Sequence, residues 1–168
     1  MSILNVGTVQ ASTISSSTGT TAFTIDSGGR VVSPNRPSFL AYNVTLNQSV
    51  TAPNAIAMTG TYDNTGNHYN TTNSRFIAPV AGDYFFWVSL LTSSVASYTG
   101  GGRFYKNGAD TNMAFYASND STVVLRKSVG MAIINLAVND YVDIRSFGTN
   151  QYWGSATTAH TQWGGFLL

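Results

Sequence analysis

Residues 83–91 read Asp-Tyr-Phe-Phe-Trp-Val-Ser-Leu-Leu, and this run restricts the possible folds more than any other stretch of the chain. In an extended strand, successive side chains point to opposite faces of the sheet. Tyr84, Phe86, Val88 and Leu90 then share one face, while Phe85 and Trp87 occupy the other. A strand apolar on both faces is buried on both faces. It therefore sits against a second layer on each side, or its outer face meets another subunit.

The surroundings of this strand fit a sheet protein. From Ser38 onward, short strand-like runs alternate with turn residues, as in sandwiches and barrels. Strands are predicted over 39–46, 56–61, 103–106, 111–116, 123–129, 131–138 and 141–147, with a turn at 63–66. Asn107-Gly108 forms a hairpin, because both residues tolerate positive φ. Gly130 marks a bulge or bend between two nearly continuous runs. Gly100-Gly101-Gly102 reads as a flexible connector, since it lacks the Lys and helix of a phosphate loop. A Gly-, Asn- and Thr-rich loop precedes the last strand, 163–168, whose apolar Gly-Phe-Leu-Leu end predicts a central position. The chain has no Glu and only two Lys, against 21 Thr, 19 Ser and 15 Asn. Straight-chain helix formers are scarce, and β-branched and turn-forming residues dominate. An all-β domain is the expectation.

Residues 1–36 differ from the rest. The segment 10–21 is small and polar and cannot build a core. Around it lie two β-like pieces, 3–9 and 21–32, the second turning at Asp26-Ser27-Gly28-Gly29. Pro34 and Pro37 mark a boundary, giving an N-terminal extended arm over 1–36 and a main domain over 37–168. Ile3, Leu4, Val6, Phe23 and Ile25 are the residues with which such an arm would attach to a partner or order a trimer.

The run Asn64…Tyr69-Asn70…Arg75-Phe76-Ile77-Ala78-Pro79-Val80-Ala81-Gly82-Asp83-Tyr84-Phe85-Phe86 resembles the signature of C1q-like globular heads. Asn64, Tyr69, Phe76, Gly82, Tyr84 and Phe86 fall at the family's spacings, with Met58 and Val88 replacing two of its aromatics. Leu136-Ala137-Val138-Asn139-Asp140-Tyr141-Val142 is similar to the family's Leu-x-x-Gly-Asp-x-Val turn, and Gly165-Phe166-Leu167-Leu168 to its closing strand. The resemblance implies a C1q/TNF-like jelly-roll sandwich of about ten antiparallel strands, with Phe166 among its signature residues. It also implies a homotrimer, and Phe85 and Trp87 are the candidate trimer interface. The family's collagen stalk is missing, because residues 1–36 hold no Gly-X-Y repeat. The segment 24–39 instead resembles sequences that precede C1q-like heads in bacteriophage virion proteins.

Catalysis and metal binding find little material here. Cysteine is absent, and His68 and His160 are loop residues without ligand spacing. No catalytic or metal residues are expected, and the chain is not expected to be an enzyme or to need a cofactor. Asp140 and Asp143 bracket a turn and could supply oxygen ligands to calcium, but carboxylates are so few that turn and edge solubility is the expected role. The net charge is +1 with charges scattered singly, which argues against nucleic acid. No apolar run approaches the ~20 residues of a membrane span. The start lacks a secretory leader, so synthesis in a host cytoplasm is expected. Tyr98, Tyr116, Tyr152 and Trp153 lie near predicted loops and are candidate ligand contacts.

These readings lead to a virion structural protein at the virion surface: a trimeric capsid decoration or cement protein whose arms bind the major capsid protein or another virion protein. A receptor- or glycan-binding knob of a phage fibre is the first alternative. A secreted C1q-like lectin or ligand is the second.

Overall fold

The computed structural model describes residues 11–93, 100–117 and 125–168. The chain divides into two units, residues 1–36 and 37–168.

The first unit is a small antiparallel meander of β1 (Thr13–Ser15), β2 (Thr21–Ile25) and β3 (Val31–Val32). The expected extended arm is thus folded back on itself over its described residues. Asp26 explains the second reversal. Its carboxylate accepts the N–H groups of Gly28 (2.9 Å) and Arg30 (3.0 Å) and pairs with the Arg30 guanidinium at 2.8 Å. Gly29 takes φ 77°, where a side chain would be strained.

The second unit is a jelly-roll sandwich of twelve strands. They are β4 (Ser38–Tyr42), β5 (Gln48–Thr51), β6 (Gly60–Thr65), β7 (Tyr69–Asn70), β8 (Arg75–Ile77), β9 (Gly82–Ser93), β10 (Gly100–Lys106), β11 (Ala109–Ala117), β12 (Leu125–Leu136), β13 (Tyr141–Ser146), β14 (Thr149–Tyr152) and β15 (Gln162–Leu167). One sheet runs β11-β10-β13-β8-β7. The other runs β5-β14-β9-β15-β4-β6, and β12 pairs with the opposite edge of β9 along its whole length. The C-terminal strand β15 is central, flanked by β9 and β4.

The core between the sheets is aromatic. Phe39 stacks on Tyr69 and on Phe76, each at 5.0 Å, and meets the Trp163 ring edge-on at 4.6 Å. Tyr84, Phe86, Val88 and Leu90, the inner residues of β9, are completely buried. Fully burying one such side chain stabilises by about 1.5–3 kcal/mol. Asn64 and Tyr69 hold the register beside this cluster. The Asn64 side chain donates to the Tyr69 carbonyl and accepts its N–H, both at 2.9 Å, and so imitates a strand pair across a turn. The Tyr69 hydroxyl donates to the Met58 carbonyl at 2.8 Å, and burial pushes its pKa up to about 12.

Several predicted elements are placed differently. The strand expected at 56–61 is an irregular crossing with Ile56 and Met58 pointing into the core, and the strand proper, β6, continues through the expected turn to Thr65. Gly130 makes no bulge. The β12–β9 register runs through it unbroken, and the glycine is required because a Cβ there would collide with the Phe115 ring. Gly100–Gly102 is not a connector but buried strand β10, where a Cβ on Gly101 would strike the Phe115 carbonyl. The expected loop before the last strand contains β14. Phe166, read as a signature residue of the core, lies on the outer face opposite Phe85; Trp163 is the buried aromatic of β15.

Candidate functional site

The outer face of the seven-stranded sheet carries an apolar surface that no part of the head covers among the described residues. Strand alternation builds it. On β9, Phe85 and Trp87 point outward and are half-buried. On β15, Phe166 packs beside Phe85 with ring centroids 5.5 Å apart. Gly164 lies next to Trp87, and a Cβ there would come within 3.0 Å of the indole nitrogen. The missing side chain lets the indole settle against β15.

Strand β12 extends the same face. Its burial alternates without interruption, with Ser128, Gly130, Ala132, Ile134 and Leu136 turned inward. Val129, Met131 and Ile133 turn outward and are 59%, 69% and 59% exposed. Met131 lies opposite Trp87, and Ile133 opposite Phe85, so the two strands form one continuous patch. Leu40 of β4 continues it on the far side of β15, where Tyr42 stacks on Tyr62 at 4.6 Å. Charges stay at the margin: Lys127 is exposed at one end, and Asp83, bonded to Asn135 at 2.8 Å, is exposed at the other. An apolar centre with a polar rim is the anatomy of an association surface. Sequence reading found Phe85 and Trp87 but missed Val129, Met131 and Ile133. Their period-two alternation was the available signal, obscured by placing a bend at Gly130.

Domains of known proteins share this fold. The family model of the C1q domain matches residues 41–168. The chain belongs to the C1q-domain family. Among curated proteins none matches it. The head is similar to the globular domain of zebrafish complement 1qA, with a TM-score of 0.63 at 16% identity, covering 79% of this chain and 97% of that one. It is similar to Eiger TNF from S. frugiperda, with a TM-score of 0.63 at 14% identity over 80% of this chain and 93% of that one. Murine APRIL gives a TM-score of 0.62 at 12% identity, with 79% and 99% covered. At these identities the likeness establishes the C1q/TNF jelly-roll fold.

The C1q head has a second distinctive face, the outside of its five-stranded sheet. There the guanidinium of Arg75 lies 4.2 Å from the Tyr141 ring centre, Arg145 lies 4.4 Å from Tyr105 and Arg103 lies 4.9 Å from Phe147. The Asp143 carboxylate accepts from Arg75 (3.1 Å) and Arg145 (2.8 Å), and Asp110 pairs with Arg103. Asp143 is therefore engaged by two cations. Asp140 accepts from Asn107 (2.6 Å), Lys106 (2.9 Å) and the Ala137 N–H (2.8 Å), which together hold its pKa down at about 2. The two candidate calcium ligands belong to separate networks of this kind.

The four candidate loop aromatics separate as well. Tyr116 is 63% exposed and stacks on Phe147 with centroids 6.0 Å apart. Trp153 is half-buried. Tyr152 is no ligand residue: it is fully buried in β14, its hydroxyl donating to the Gly101 carbonyl at 2.6 Å beside Ser146. Tyr98 lies outside the described residues, as do Ile3, Leu4 and Val6 of the arm.

Proposed function

We propose that this C1q-family chain is a non-enzymatic structural protein that associates as a homotrimer and decorates the surface of a bacteriophage virion. The observation that carries the association is the apolar patch of Phe85, Trp87, Val129, Met131 and Ile133, the last three exposed among the described residues. A contiguous apolar surface with charge only at its rim marks an interaction site. A second copy of the same surface region, brought round by a rotation axis, is the partner that every molecule has available. The assignment to a capsid rests on the N-terminal segment, which has no Gly-X-Y repeat and resembles those of virion proteins. In this reading the heads stand on the shell and the arms engage the major capsid protein or another virion protein. Several weak arm contacts made at once give avidity. Deleting residues 2–33 is then expected to abolish co-sedimentation with capsids while leaving the trimer intact by light scattering. Continued decoration by the truncated protein would overturn the arm's role.

One observation favours a second reading, a recognition knob. Tyr116 offers an exposed ring next to Phe147 and Arg103, the kind of platform on which a sugar ring stacks. Specific binding on a glycan array that disappears in Tyr116→Ala would support it.

A further inference from the structure

The chain contains a single Asn-Gly dipeptide, Asn107-Gly108. The hairpin between β10 and β11 calls for it, because both turn residues take positive φ, 51° and 81°. A Cβ at Gly108 would also lie 3.2 Å from the Tyr141 hydroxyl, so a larger residue there would be both strained and crowded. The same pair is chemically labile. Asparagine is a thermolabile residue, and a following glycine leaves its backbone nitrogen unshielded beside the side-chain amide. Both residues are exposed, so water and solvent base reach them.

We infer that Asn107 is a deamidation site which the fold holds closed, and that its conversion to aspartate or isoaspartate unfastens the β10–β11 turn from the start of β13. In the reaction the Gly108 backbone nitrogen gives its proton to solvent base and attacks Cγ of Asn107. The bond from Cγ to the side-chain nitrogen breaks, and that nitrogen leaves as ammonia. A succinimide ring remains, and one water molecule opens it to aspartate or isoaspartate, with no change of oxidation state. The attack requires Cγ to swing over the Gly108 nitrogen. The structure ties it elsewhere: the Asn107 side chain donates to Asp140 at 2.6 Å and accepts the Tyr141 N–H at 2.9 Å, while its backbone N–H donates to the Tyr141 carbonyl at 2.9 Å. Asp140 is itself fixed by Lys106 at 2.9 Å and by the Ala137 N–H at 2.8 Å. With its pKa held down at about 2, it stays an ionised acceptor at neutral pH and is too weak a base to take the Gly108 proton. Once formed, a carboxylate at 107 has no N–H to give Asp140 and meets a like charge in its place. Isoaspartate also lengthens the main chain of a two-residue turn by one atom. Lys106 donates to the Asn135 carbonyl at 2.8 Å, so the loosened network reaches the end of β12.

The test incubates the full-length protein in mildly alkaline buffer and follows residue 107 by peptide mapping, which separates asparagine, aspartate and isoaspartate. The parent is compared folded, unfolded in urea, and as Asp140→Ala. In urea Asn107 is expected to deamidate readily, and in the folded parent on the order of tenfold or more slowly, because reaction waits on local opening. Asp140→Ala, shown to be folded by circular dichroism, should lose on the order of tenfold of that protection, the share of a hydrogen bond to a charged group. An Asn107 that persists in urea, or that reacts equally fast folded and unfolded, overturns the inference, and this comparison needs only the parent. A folded Asp140→Ala protected as well as the parent overturns the role of Asp140. Asn107→Asp reproduces one product directly and should unfold at lower urea than the parent at neutral pH; equal midpoints would overturn the effect assigned to the modification.

Discussion

At the residue scale, the polar network of Asp140 does the work that its sequence position only hinted at. Asn107 sits at φ 51° in the β10–β11 hairpin turn, and Asn139 at φ 69° in the turn that carries the chain from β12 across to β13 in the other sheet. The Asn107 side chain donates to Asp140 at 2.6 Å and accepts the Tyr141 N–H at 2.9 Å, so a single residue ties both turns together. The hydrogen bond from Asn107, with those from Lys106 and the Ala137 N–H, lowers the Asp140 pKa from 3.8 to about 2. A carboxyl whose folded pKa is depressed contributes stability above its unfolded pKa, and that contribution disappears as pH falls through the folded value. Asp140→Asn should therefore be less stable than the parent at pH 6. The gap between the two should close between about pH 3.8 and 2, read from urea midpoints at each pH. A gap that stays constant across this window would show that the carboxylate's charge contributes nothing.

At the element scale, β12 explains both what the sequence disclosed and what it hid. Strand β9 was legible because its aromatics leave no doubt about period two, and the hairpin at 107–108 because Asn-Gly has few other uses. Strand β12 was cut in two because glycine inside a strand is ordinarily a sign of irregularity. Its true cause is a ring, Phe115, packed from β11 across the sandwich, and contacts between residues so far apart leave no local trace. The same holds for Gly100–Gly102, which looked like slack chain and proves to be buried strand, where a Cβ on Gly101 would strike the Phe115 carbonyl. Read as one strand, β12 presents Val129, Met131 and Ile133 to the outside along an edge that, among the described residues, has no partner beyond it in its sheet. Long apolar edges are hazards unless something covers them. Met131→Asp should place a charge in the middle of the proposed contact and convert the trimer to monomers. Because Met131 is 69% exposed in the single chain, the head should keep its fold. Light scattering and circular dichroism check the two halves of this expectation; a trimer of unchanged mass would remove β12 from the interface.

For the whole molecule, the apolar outer face of the head's seven-stranded sheet makes stability and assembly one question. If that face is closed by copies of the chain, the folded state is a trimer in equilibrium with three unfolded chains, and stability depends on protein concentration. For such an equilibrium a tenfold rise in concentration stabilises each chain by about two-thirds of 1.4 kcal/mol, or about 0.9 kcal/mol. The unfolding midpoint of the parent should accordingly climb with every tenfold step. Met131→Asp, held as a monomer, should unfold at one midpoint at all concentrations. Deleting residues 2–33 should keep the dependence, because the head retains its own contact. A parent midpoint that ignores concentration would remove the patch on β9, β12 and β15 from self-association.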